Sequence, residues 1–195
     1  VVFVGSGAIG TAIGNVLARK GVDDITLLSI EEEVVESINE LRYNLTYFPN
    51  VKLSRNLKAT TDRSVLKDAD IIFMAIPSVA VVGYILGNKE IINPKAVIVN
   101  LAKGFGKCDS LIPDCLQGQL SNPIMMMKGP SFAREIINRQ DTGFTLACSD
   151  NQCFSEISEL FENTNICFDF SNDITGVELA SILKNIYAII IGMLD

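Results

Sequence analysis

Val1-Val2-Phe3-Val4-Gly5-Ser6-Gly7-Ala8-Ile9-Gly10 decides the fold. An apolar run short enough to be a fully buried strand passes directly into G-x-G-x-x-G. Helix-forming residues from Thr11 to Lys20 follow, with Gly21 as their stop. This strand–turn–helix context, more than the glycines themselves, marks a turn that cradles phosphates. Gly5 permits the tight turn, Gly7 lets the backbone approach a pyrophosphate, and Gly10 lets the helix pack closely on the strand. Gly14 extends that smooth face by one turn. The helix N-terminus offers its unpaired N–H groups to phosphate oxygens. A glycine-rich turn in an unrelated α/β protein is the competing reading.

Outward from this turn, short β-type runs alternate with helical patterns. Ile25 to Leu28, Ile71 to Ile76, Ala96 to Asn100 and Ile124 to Met127 read as strands, with Pro77 closing the second of them. Thr145 to Cys148 and Ile166 to Phe170 read as later strands flanking a helix from Gln152 to Glu162. A further helix is expected from Glu31 to Arg42, its acidic first turn favoured by the helix dipole. Continuous apolar strands alternating with helices imply a parallel sheet covered on both faces. The expectation is an α/β, Rossmann-like, doubly wound and mostly parallel sheet over residues 1–171. The capping cluster Ser171-Asn172-Asp173 then opens the first helix of an all-α domain, 172–195. Both termini of the sequence interrupt patterned elements, so a truncated second domain is expected.

Glu31 falls about 20 residues after the glycine turn, where an acidic side chain binds the ribose 2′-OH of NAD. No arginine lies between Lys20 and Arg42 to receive a 2′-phosphate, so NAD is expected over NADP. The alternative is that Glu31, Glu32 and Glu33 only favour the helix they open.

Composition narrows the rest. The net charge of −7 argues against a general nucleic-acid surface. The five cysteines form no C-x-x-C pair and the chain has no histidine, so no metal site is expected. Thiols in a reducing cytoplasm are the plain reading. Without histidine, acid–base chemistry falls to lysine, carboxylate, tyrosine or cysteine.

Lysine is the candidate the C-terminal run offers. Lys184 and Asn185 stand side by side within Leu179 to Leu194, whose apolar residues cover every face. Such a helix is expected to be buried. Burial would lower the lysine pKa and suit it to proton transfer, unless its stem snorkels to the surface. The run is short for a membrane span and carries two polar residues, so no transmembrane segment is expected.

With these pieces assembled, the chain resembles the NAD(P)-dependent glycerol-3-phosphate dehydrogenases, particularly the bacterial type. The blocks are Gly5 to Ala12, Tyr47-Phe48-Pro49, Asn56 to Asp62, Ala75-Ile76-Pro77-Ser78, Lys103-Gly104, Gly129 to Glu135, and Gly176 to Leu179 with Lys184-Asn185. The resemblance implies interconversion of dihydroxyacetone phosphate and sn-glycerol 3-phosphate with NAD, or NADP, as cofactor. It implies Lys184 as the acid–base group, with Lys103 and Asn185 assisting at the reacting oxygen. It implies cofactor contacts at Gly5, Gly7, Ala8, Ile9, Gly10, Ile30, Glu31, Tyr47, Lys103 and Ala133. Lys103, Gly129, Ser131 and Lys184 are implied substrate contacts. A homodimer and a cytoplasmic location follow from the same resemblance, as does a role in supplying glycerol 3-phosphate for phospholipid synthesis.

Ile30 departs from the family pattern, which often carries arginine or histidine there, and this weakens the expectation of NADP use. Ala8 and Ile9 replace a serine–aromatic pair common in the glycine turn. Two other readings stand beside this one. One is another dehydrogenase pairing a Rossmann domain with a helical domain, of 3-hydroxyacyl or 6-phosphogluconate type. The other is a non-catalytic NAD(H)-binding module.

Overall fold

A computed structural model describes residues 1–106, 110–149 and 151–193, leaving out the side chains of Asn151 and Asn185. Cys108 lies outside the described residues. Eight strands form one sheet: β1 (Val2–Val4), β2 (Ile25–Leu28), β3 (Leu57–Thr60), β4 (Ile71–Met74), β5 (Val97–Asn100), β6 (Ile124–Lys128), β7 (Thr142–Ala147) and β8 (Ile166–Ser171). Their order is β3-β2-β1-β4-β5-β6-β7-β8. Strands β1 to β6 run parallel, β7 is antiparallel to β6, and β8 is parallel to β7. The helices are α1 (Ala8–Lys20), α2 (Glu32–Glu36), α3 (Ser78–Gly87), α4 (Ile112–Leu116), α5 (Ala133–Ile137), α6 (Asn151–Leu160) and α7 (Ile174–Gly192).

Residue alternation along the strands divides the interior into two cores. Phe3, Leu27, Phe73, Val97, Val99, Met125 and Met127 face the layer holding α1, α5 and α6. Val2, Val4, Ile72, Met74 and Ile98 face the layer holding α3 and α4. A sheet buried on both faces needs apolar residues at both parities, which is why these strands read as unbroken hydrophobic runs. Phe3 and Phe73 stack at 4.5 Å between ring centroids, and Phe161 meets Phe73 edge-on. The strand order reverses between β1 and β4, so the crevice that accepts ligands opens at their C-terminal ends.

Two expectations need correction. The helix expected from Glu31 to Arg42 is α2 passing into a π-helical turn at Ser37–Leu41, which ends with Arg42 in the left-handed region. The long helix α7 is not buried. Asp173 caps it, its carboxylate accepting the Gly176 N–H at 2.8 Å. Its first half packs on β6 and β7. Ile186, Tyr187, Ile189, Ile190, Ile191 and Met193 beyond are exposed. All-round apolarity announces that a helix needs cover; the sheet covers only its first turns. By length and hydropathy α7 could cross a membrane. Its first half is tied to the sheet by an ion pair described below.

Candidate active site

The glycine turn is held by a buried polar network. Asn44 donates to the Ser6 carbonyl at 2.8 Å and to Thr11 Oγ1 at 2.9 Å. Thr11 Oγ1 donates back to the Ser6 carbonyl. The Ser6 hydroxyl donates to Ser29 Oγ at 2.7 Å, which fastens the turn to the end of β2. Gly5 adopts φ +109°, and a Cβ on Gly10 would stand 2.3 Å from the Gly5 carbonyl oxygen, so neither position tolerates a side chain. At Gly7 the surroundings differ: an added Cβ would meet nothing nearer than the Tyr47 ring, at 3.9 Å. Gly7 is kept open toward the cleft, and no side chain caps the N-terminus of α1. Those N–H groups therefore remain for an anion.

The cleft above this turn has a volume of ≈ 610 Å³. Gly5 to Gly7, Leu28 to Glu31, Tyr47, Thr61, Arg63, Ala75 to Pro77 and Tyr84 line it. The structure thus brings together Gly5, Gly7, Ile30, Glu31 and Tyr47, five of the residues singled out from the sequence. Ile30 projects into solvent at the rim, 91% exposed. Ala8, Ile9 and Gly10 sit behind, in the first turn of α1, and Ala133 opens α5; Ala8, Ile9 and Ala133 pack against the core rather than lining this cleft. Arg63, on the short turn after β3, enters the same cleft as Glu31. Arg63 lies beyond the Lys20–Arg42 stretch in which the sequence shows no arginine, so the expectation of no nearby arginine does not hold in the folded chain. Residues distant along the chain meet here because β2 and β3 are paired.

A second pocket of ≈ 230 Å³ lies at the ends of β5 and β6. Lys103, Lys128, Gly129, Pro130, Thr145, Val177, Ala180, Ser181 and Lys184 line it. Lys103 follows β5, on a turn that requires glycine next to it. Gly104 has φ +133°, and a Cβ there would stand 2.7 Å from Ser78 Oγ. Lys103 Nζ donates to the Ser131 carbonyl at 3.3 Å. Burial pushes the Lys103 pKa down, and the Lys184 and Lys128 ammoniums push it the same way. Lys184 is half-buried rather than enclosed, with Nζ 5.3 Å from the centre of the Phe132 ring. The burial argued for Lys184 belongs instead to Lys128.

Lys128 and Glu178 are the site residues that the sequence reading missed. Lys128 Nζ lies 2.8 Å from Glu178 Oε2, with side-chain exposures of 3% and 0%. Lys128 Nζ also donates to the Ala102 carbonyl. Burial lowers the Lys128 pKa while Glu178 raises it. Burial raises the Glu178 pKa while Lys128 lowers it. The signal was present: a lysine ends the apolar run Ile124 to Met127, and a lone carboxylate interrupts an apolar helix. Gly129 borders this pair, and a Cβ there would stand 2.5 Å from the Gly143 carbonyl. Ser131 is buried just beyond. The Asn185 side chain lies outside the described residues.

The glycine-turn cleft and the lysine-lined pocket therefore share the edge of the sheet at which the parallel strands β1 to β6 end. The family model described as "NAD-dependent glycerol-3-phosphate dehydrogenase N-terminus" matches residues 1–154. The chain belongs to the NAD-dependent glycerol-3-phosphate dehydrogenase family. A glycerol-3-phosphate dehydrogenase (NAD(P)+) of Leptospira biflexa is 36% identical over 199 residues, covering 99% of this chain and 60% of the relative. One of Bacillus subtilis is 35% identical, covering 100% and 58%. The crystal structure of glycerol-3-phosphate dehydrogenase from Coxiella burnetii superposes with a TM-score of 0.89 at 31% identity, over 96% of this chain and 58% of that one. The chain thus spans about three fifths of the length of these glycerol-3-phosphate dehydrogenases.

Proposed function

We propose that these residues form the dinucleotide-binding part of an enzyme that interconverts dihydroxyacetone phosphate and sn-glycerol 3-phosphate with NAD(H). One observation carries the reading: the Gly5–Gly7 cleft and the pocket of Lys103, Lys128 and Lys184 open on the same edge of the sheet. The fit to a dinucleotide rests on the uncapped α1 N-terminus and the open space at Gly7. Gly5 to Gly7 would hold the pyrophosphate, with Glu31, Ile30 and Tyr47 toward the adenosine half. Ala8, Ile9, Gly10 and Ala133 belong to this proposal through the resemblance and support the turn from behind. The bound nicotinamide supplies the hydride.

The chain's own residues supply the rest. Reducing a ketone builds negative charge on its oxygen, and an ammonium stabilises and protonates that oxygen. Lys184 is proposed for this role. Lys103, which lines the same pocket, assists and, with Gly129 and Ser131, positions the substrate. Asn185 joins them on resemblance alone. Residues 1–171 would be the dinucleotide domain. The exposed apolar half of α7 fits the opening of a helical substrate domain over 172–195, and the greater length of the relatives supports this. A cytoplasmic location and a homodimer belong to the same proposal.

The test is one assay of the full-length protein, following NADH oxidation with dihydroxyacetone phosphate and then with NADPH in its place. Turnover supports the reading. Tight NADH binding with no turnover of this or related ketones would point instead to a non-catalytic NAD(H)-binding module.

A further inference from the structure

Phe132 occupies the N-cap position of α5, with extended backbone and no capping hydrogen bond from its side chain. Serine, threonine, aspartate and asparagine are the residues that stabilise a helix from that position. The ring is also 61% exposed, so core packing does not account for it. What it does meet is Lys184, whose Nζ lies over the ring, 5.3 Å from its centre. An ammonium within about 6 Å of an aromatic face is attracted by the ring quadrupole.

Lys184 has few other reasons to stay in place. Lys103 lines the same pocket, and the like charge of Lys184 is one cause of the lowered Lys103 pKa. Neither ion pair found among the described residues includes Lys184. A long, flexible side chain that meets repulsion and no countercharge extends its ammonium into water. The Phe132 ring opposes that escape.

The ring can do so because the segment carrying it is braced. A Cβ on Gly129 would stand 2.5 Å from the Gly143 carbonyl oxygen, so the chain there lies tight against β7. The Pro130 ring fixes its own φ, and Ser131 is buried. The Ser131 carbonyl accepts a hydrogen bond from Lys103 Nζ at 3.3 Å. Two consecutive residues thus hold the two lysines, Ser131 by its carbonyl and Phe132 by its ring.

We propose that Phe132 is a positioning residue for Lys184, its ring holding the ammonium where it reaches the reacting oxygen. The proposal rests on the reading given under Proposed function. Phe132 is not among the residues that line the pocket, so it acts through Lys184.

The experiment compares the full-length protein with Phe132→Leu, which keeps an apolar side chain but no ring, and Phe132→Tyr, which keeps the ring. The single-turnover rate of NADH oxidation by dihydroxyacetone phosphate, the NADH affinity and the urea midpoint are measured. Phe132→Leu should slow the single turnover by roughly 2- to 5-fold, the range of an exposed cation–π contact. Phe132→Tyr should restore the rate. NADH affinity and the urea midpoint should hold in both. In a Lys184→Ala background, Phe132→Leu should cause no further loss, because the two residues act as one unit. An unchanged rate in Phe132→Leu, an equal loss in Phe132→Tyr, or a further loss in the Lys184→Ala background would overturn the proposal. So would weakened NADH binding, which would make the ring a cofactor contact, or a lowered midpoint, which would make it structural. Each of these leaves the family reaction intact. Failure of the unaltered protein to turn over dihydroxyacetone phosphate would instead overturn the reading beneath.

Discussion

Lys128 Nζ lies 2.8 Å from Glu178 Oε2, and both side chains are withdrawn from water. The pair joins the end of β6 to the first turns of α7, the helix that carries Ser181 and Lys184. Removing either partner leaves a buried charge unpaired, which costs about 3–5 kcal/mol. Lys128→Ala and Glu178→Ala should each lower the stability measured by urea unfolding by that amount. The double change Lys128→Met with Glu178→Leu should recover most of it, because the desolvation of both charges disappears with them. Additive losses in the double variant would show that the two residues do not act as a pair.

The glycine turn separates folding from binding. Gly7→Val places its side chain in open space near Tyr47, so the fold should tolerate it while NADH binding is abolished. Gly10→Val would drive a Cβ against the Gly5 carbonyl, so it should destabilise the fold itself. Circular dichroism and NADH titration on the two variants read this contrast. Full NADH affinity in Gly7→Val would remove the pyrophosphate from this turn.

Cofactor choice depends on two opposed charges in one cleft. Glu31 and Arg63 line the same cleft, where Glu31 would repel a 2′-phosphate and Arg63 would attract one. The carboxylate stands where β2 ends, the position that meets the ribose, so NADH should bind more tightly than NADPH. Glu31→Ser should shift the ratio of the two affinities toward NADPH by about tenfold or more. Arg63→Ala in that background should reverse the gain. Tighter NADPH than NADH binding by the unaltered protein would overturn the preference.

Lys103 predicts two pH dependences of opposite sign. Its pKa is depressed below the ordinary 10.5, first by burial and then by Lys184 and Lys128. Between the depressed and ordinary values, the unfolded chain binds more protons than the folded one, so this group's contribution to stability rises with pH. Over the same window the ammonium discharges, so affinity for a phosphorylated anion falls. Bound anion favours the charged lysine, and binding should therefore take up protons. Calorimetry of glycerol 3-phosphate binding in buffers of different ionisation heat, at alkaline pH within that window where the phosphate is fully ionised, reads that uptake, and Lys103→Met should abolish most of it. No proton uptake in the unaltered protein would contradict the assignment.

The parallel sheet was legible because strands buried on both faces are apolar in unbroken runs, as in Ile71 to Met74 and Val97 to Val99. The strand β3, Leu57-Lys58-Ala59-Thr60, was not, because it lies at the sheet edge and alternates buried with exposed residues. The glycine turn was legible because its chemistry is local. The partnership of Lys128 and Glu178 was not, since the sheet and helix that unite them are distant along the chain. Lys184 was found for a reason that fails: α7 has apolar residues all round, but its second half is uncovered. What places Lys184 in the pocket is the docking of the first half of α7.

The most direct measurement is NADH-dependent reduction of dihydroxyacetone phosphate by the full-length protein and by Lys184→Ala, in parallel with NADH titration of both. The unaltered protein should turn over. Lys184→Ala should lose about 10²–10⁴ in rate, the range of a general acid–base group. Its NADH affinity should stay within about twofold, because the glycine cleft does not include this helix. Near-normal turnover in Lys184→Ala would contradict the proposed role of the lysine pocket.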